Sequence, residues 1–245
     1  IVLYNFLYWI LMLFASNTIF TAIFVIEVIS AVIFLLIVTS TYSTNYFYRN
    51  TSFAFGNLFQ NSTPFTFLQS LIYYFWISLI SALNLFLFIL LMYIKVHTLD
   101  WFTLEHVFMY LTSVTSLKDL ISFGAVWLIL LLSIFIKSGI APLYLYKPTF
   151  FKGLPFYTLF FYICFFYFFF FLFVIHMLNS YFSEIFYFYT SIVTVLIVIG
   201  LLVLLFIICD SYYLKIFLAI SSILNSLFVL LSLTSAHTAV ITFWI

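Results

Sequence analysis

The sequence predicts an all-α membrane protein, a polytopic bundle of about seven transmembrane helices with one helix broken after Lys137. Three observations carry that expectation. Of 245 residues, 68% are apolar, where an ordinary soluble domain holds under half. Only seven Lys or Arg and six Asp or Glu are present, against 37 Phe, 19 Tyr and 5 Trp, so a water-facing surface cannot be assembled. The apolar residues also fall into runs of about 20, the length a helix needs to cross a bilayer.

In chain order the runs cover about 1–17, 19–39, 65–94, 120–146, 156–178, 187–209 and 213–234, within a single transmembrane domain over 1–245. Ser16, Asn17 and Thr18 separate the first two. Residues 40–64, with Asn45, Arg49, Asn50, Gln60 and Asn61, make the longest connection. In 95–119, Trp101, Leu104, Phe108 and Leu111 recur at helical spacing behind Asp100, which predicts a short helix lying in the membrane interface. Ser116 and Asp119 have capping-box spacing at the start of the fourth run.

Charge sets the expected sidedness. The connections at 40–64, 147–155 and 210–214 fall on one face and carry Arg49, Lys147 and Lys152, with Lys215 just beyond. The opposite face sets Lys95 and Lys118 against Asp100, Glu105, Asp119 and Glu184. The basic excess predicts that the first face is the matrix or cytoplasmic one.

Composition also excludes functions. A net charge of +1 with no basic run leaves nothing to neutralise phosphates, so nucleic acid is not an expected partner. Cys164 and Cys209 form no C-x-x-C and read as small hydrophobes. Five scattered glycines build no phosphate-cradling loop. No cofactor or metal is therefore expected on this chain, and redox chemistry belongs to partners. The histidines have no paired spacing suited to haem: His97 and His106 lie in the interfacial stretch, His176 near a span end and His237 near the last residues. The sequence begins at Ile1 without Met, and its bias to Phe, Ile, Leu, Tyr and Asn points to an AT-rich organellar gene with an unusual start codon.

Three ionisable residues stand where lipid should be. Glu27 lies near the centre of the second run, where a lone charge costs roughly 3 kcal/mol; the alternative to function is a carboxyl kept neutral, or bonded to a neighbouring helix, for packing only. Lys137 lies well inside the fourth, five residues before Pro142, whose ring removes a backbone donor and is expected to loosen the helix just past the lysine. Broken backbone at membrane depth is tolerated only beside protein or water, so Lys137 can hold a movable proton; the alternative is snorkelling to the interface. Lys215 opens the last run, and snorkelling explains it as well as function does. These three residues are the proton-relay candidates.

The stretch Lys137-Ser138-Gly139-Ile140-Ala141-Pro142, followed by Pro148 and by Gly153-Leu154-Pro155, resembles subunit 2 of the respiratory NADH:ubiquinone oxidoreductase (complex I), one of its antiporter-like membrane subunits. Glu27 followed by Ser30 is similar to that family's membrane glutamate. Lys215 with Ala219, Ser221 and Ser222 is similar to the lysine and serine motif of a later helix, and Gln69 to Tyr73 is a weaker match. The resemblance implies a proton-translocating membrane-arm subunit of the mitochondrial inner membrane, packed among other complex I membrane subunits and lipids. NADH, flavin, iron–sulfur clusters and ubiquinone would be bound by partner subunits. It also implies that Glu27 and Lys137 form the ion pair through which neighbours act on the proton site.

The sequence departs from the family in places. Tyr167 stands where a second membrane lysine is expected, Tyr144 and Asn225 replace histidines, and the family's first and final helices have no full counterpart within the 245 residues. Two other readings therefore stay open: a structural membrane subunit that no longer pumps, and a free-standing cation/proton antiporter.

Overall fold

The computed structural model describes residues 2–48, 64–114, 117–140, 143–182, 186, 189–208 and 213–234. Arg49, Ser116, Pro142, Glu184, Cys209, Asp210 and His237 lie outside them, and so do the capping box at Ser116 and the proline break at Pro142. Nine helices are described: α1 (Val2–Phe14), α2 (Ile19–Tyr48), α3 (Pro64–Val96), α4 (Trp101–Val114), α5 (Leu117–Ser138), α6 (Tyr146–Gly153), α7 (Phe156–Ser180), α8 (Thr190–Ile208) and α9 (Leu214–Thr234). The described residues form no strand beyond one isolated bridge between Thr18 and Asp100. Six helices contain stretches long and apolar enough to cross a membrane: Ile19–Ser40, Thr66–Val96, Ile121–Ser138, Phe156–Ser180, Thr190–Ile208 and Leu214–Thr234. The chain is an all-α, multi-pass membrane bundle.

Two expected spans differ from what is seen. The first run forms only the 13-residue α1, about 20 Å long at the helical rise and short of the ~30 Å hydrocarbon core. It stops where Ser16 folds back, its amide and hydroxyl both donating to the Leu13 carbonyl. The fourth run does not extend to residue 146. α5 ends at Ser138 because Gly139 takes the left-handed conformation, φ +63°, which costs glycine no Cβ clash. Gly139 N–H then bonds the Ile136 carbonyl and Ile140 N–H the Phe135 carbonyl, the paired pattern that closes a helix C-terminus. The break expected just past Lys137 is present, and Gly139 makes it, while Pro142 lies outside the described residues.

α3 is central, packing on α2, α5 and α6, while α1 lies along α2 and α8 along α9. Lipid is as apolar as the core, so packing and interhelical hydrogen bonds hold the bundle rather than hydrophobic burial. Ser81 of α3 donates to the Ser133 carbonyl of α5 at 3.1 Å, and Tyr74 of α3 donates to the Ser30 carbonyl of α2 at 2.9 Å. Other buried serines satisfy themselves one turn back, as Ser133 does on Leu130 and Ser226 on Ile223. At the end holding the α1–α2 turn, Ile19 N–H bonds the Leu99 carbonyl and the Trp101 indole donates to the Ser16 carbonyl. That clasp seats α4 with Trp101, Leu104 and Phe108 buried and Phe102, Met109 and Tyr110 outward.

Gly153 closes α6 by close approach: a Cβ there would fall 2.3 Å from the Thr66 carbonyl oxygen, so only glycine lets α6 dock against the start of α3. α7 contains a π-helical segment, Tyr162–Tyr167. The extra residue in its turn rotates the following face of the helix.

Candidate functional site

The site lies at the broken end of α5. Lys137 occupies the last turn of α5, where a cation complements the negative end of the helix dipole. Its Nζ donates to Glu27 Oε1 of α2 at 2.5 Å, across 110 residues of sequence. The other carboxylate oxygen accepts from Ser30 Oγ at 3.2 Å, although that hydroxyl bonds the Glu27 carbonyl more closely at 2.7 Å. The pair is lopsided, because the Lys137 side chain is 4% exposed and that of Glu27 29%. The ammonium is enclosed by protein while the carboxylate reaches the bundle exterior.

Helix termination leaves the last carbonyls short of intrahelical partners, and α6 returns to supply further donors. Tyr146 donates its hydroxyl to the Ile136 carbonyl at 2.8 Å, with the Lys137 carbonyl at 3.4 Å. Lys147 donates to the Ser138 carbonyl at 3.2 Å and is 1% exposed. Its Nζ also sits 3.8 Å from the centroid of the Tyr167 ring, a desolvated cation–π contact. Burial pushes the Lys147 amine well below its usual range and the Tyr146 phenol well above its own. Among the described residues no carboxylate pairs with Lys147.

As a charge in the 147–155 connection, Lys147 is expected to face water and help set sidedness. It is enclosed by the bundle, so the basic excess of that face no longer includes it. Lys152, by contrast, is exposed and lies over the Tyr213 ring at 5.3 Å. The missed residues are Tyr146 and Lys147. Their signal is a second lysine ten residues after the first, on the far side of a glycine able to turn the chain back.

Lys215 is not brought to the pair. Its Nζ donates to the Leu154 carbonyl at 2.6 Å, tying the start of α9 to the corner after α6. Tyr144 is buried, and its hydroxyl has no partner among the described residues. His176 makes a 3.3 Å contact with Ser180 and an edge contact with Tyr181 near the end of α7. No cluster of His, Cys, Asp or Glu suited to a metal occurs among the described residues.

A void of about 20 Å³ lies beside Lys137 and Ser133, walled by Ile26, Phe170 and Met177 and reaching Trp101. It has room for about one water, yet almost all its lining is apolar. A chain of several waters does not fit there in this conformation. Compared with known proteins, the chain matches no family model and no curated protein sequence.

Proposed function

We propose that this chain is a proton-translocating membrane-arm subunit of respiratory complex I, in the mitochondrial inner membrane, coupled to the oxidation of NADH by ubiquinone elsewhere in the assembly. The observation that carries the reading is the Glu27–Lys137 pair at the broken end of α5. A lone charge in a membrane helix costs at least roughly 3 kcal/mol, and a buried pair often contributes less than apolar packing of the same volume. Stability alone gives little reason for such a pair. A titratable pair at a helix break suits a site whose proton occupancy changes.

The half-exposed carboxylate supports the partner half of the proposal. Glu27 reaches the surface of a membrane helix, where hydrocarbon is a poor neighbour for it. A polar group of an adjacent subunit is a better one. NADH, flavin, iron–sulfur clusters and ubiquinone are assigned to partner chains, with lipids around the remaining surface.

The structural reading, a subunit that packs but no longer pumps, is favoured by one observation: the void at Lys137 is small and apolar. A free-standing antiporter has no such observation in its favour. Purification in mild detergent with identification of the co-purifying chains tests the assignment; isolation as a stable monomer would defeat it. In the assembled complex, Lys137→Met is expected to lower NADH-driven proton uptake more than it lowers assembly. Unchanged uptake leaves the structural reading.

A further inference from the structure

Lys147 is the most deeply enclosed cation among the described residues, and the Glu27–Lys137 pair does not account for it. It is held by two supports of different kinds. One is the Ser138 carbonyl, freed because α5 ends at Gly139. The other is the Tyr167 ring face at 3.8 Å, with Phe151 farther off at 5.8 Å. Both favour the ammonium over the neutral amine, but neither is an anion. Burial favours the neutral form. A buried amine so balanced changes charge with a small change in its surroundings.

Among the described residues, its neighbours bring no carboxylate to that balance. The elements around α6 bring titratable groups toward it: Lys137 from α5, Tyr74 from α3, Tyr162 and Tyr167 from α7, and Lys215 from α9, beside Tyr144 and Tyr146 of its own segment. Among the described residues, the carboxylate brought to this end is Glu27, and it is engaged by Lys137.

Tyr167 faces two ways. Its ring carries Lys147, and it also lines a surface groove of about 190 Å³ between α7 and α9, together with Asn225 and Ser226. The groove has volume for several waters; most of its lining is apolar, and Asn225 and Ser226 supply polar groups beside the Tyr167 ring. The π-helical segment ends at Tyr167, so the irregular turn sets where this ring points.

We infer that Lys147 is a second proton-holding residue, exchanging one proton with water in the Asn225–Ser226 groove, and that Tyr167 is the positioning residue whose ring keeps the charged form within reach. The proton binds the lone pair of the neutral amine and later leaves the ammonium; nothing is oxidised or reduced. The inference rests on the proposed reading of the chain as a proton-translocating subunit.

The test measures NADH-driven proton uptake and its pH profile in membranes holding the whole assembly. Lys147→Met is expected to lower the uptake rate at least about tenfold, the low side for loss of a proton-transfer group. Lys147→Arg should be as defective, because arginine keeps the charge and the carbonyl bond but does not release its proton. Tyr167→Phe keeps the ring and should leave the alkaline limb of the profile in place. Tyr167→Leu removes it and should move that limb down by about one pH unit. Normal uptake in Lys147→Arg, or an unmoved profile in Tyr167→Leu, overturns the inference and leaves Lys147 a structural cap. If Lys147→Met fails to assemble, the Tyr167 pair still decides. A defect in Lys137→Met with none in Lys147→Met defeats this inference alone, whereas no defect in either defeats the proposed function first.

Discussion

Glu27 and Lys137 meet at 2.5 Å although 110 residues separate them, and only the lysine is fully enclosed. Removing one partner therefore has unequal consequences. Glu27→Gln strands an ammonium inside the bundle, and breaking a buried pair in this way costs about 3 kcal/mol. Lys137→Met leaves a carboxylate that the bundle does not enclose, free to keep its Ser30 contact and to turn to a polar neighbour outside, so it is expected to cost less. The double variant should recover much of the loss of Glu27→Gln, because no unpaired charge remains. Thermal unfolding in one detergent orders the three, and a double variant no more stable than Glu27→Gln counts against the pairing.

The end of α5 depends on one backbone conformation. Gly139→Ala forces a side chain into φ +63°, with Tyr146 Oη at 2.9 Å and Lys147 Cδ at 3.0 Å from the new Cβ. The conformation alone costs roughly 1–2 kcal/mol. The clash also pushes away the two residues that serve the freed carbonyls, so uptake should fall together with stability. Pro142→Ala is expected to leave this helix end in place, because the closing bonds are made by Gly139 and Ile140. An Ala at 139 as stable as the glycine would place the cause of the break elsewhere.

These two cases mark what was legible in the sequence. The helical runs are visible because lipid demands about 20 apolar residues in succession. Glu27 and Lys137 are visible because a charge within such a run is expensive. That they meet is a tertiary fact no local pattern encodes. Lys147 is harder to read, since after a broken helix the periodicity stops and a lysine has two destinations, water or the helix it has just left. The choice lies in the φ of Gly139 and in a ring 20 residues later. Nor does the aromatic run around Tyr167 carry a signal for a π turn, because every register through it is equally apolar.

Lys215 separates two roles. As a strap, its 2.6 Å bond to the Leu154 carbonyl holds the corner between α6 and α7 to the start of α9. Loss of a charged hydrogen bond of this kind costs about 1.5–3 kcal/mol. Lys215→Met should therefore lower the unfolding temperature, and Lys215→Arg should restore it with normal uptake. If uptake fails in Lys215→Arg while stability is kept, the strap is insufficient and Lys215 belongs to the proton route.

The burial of Lys147 has a consequence for stability that can be measured without transport. Its amine is held well below the usual value of 10.5 in the folded chain, while the unfolded chain titrates near that usual value. Between the lowered folded pKa and about 10.5 the unfolded state binds more protons than the folded one, so stability gains with rising pH across that window. Below the folded pKa both states are charged at Lys147 and the penalty is complete; above about 10.5 both are neutral there and it is gone. Subtracting the stability of Lys147→Met at each pH cancels the groups the two proteins share. The difference should rise in favour of the natural chain as pH increases toward 10.5. A flat difference would mean that Lys147 ionises alike in both states, and a falling one that an anion holds its charge.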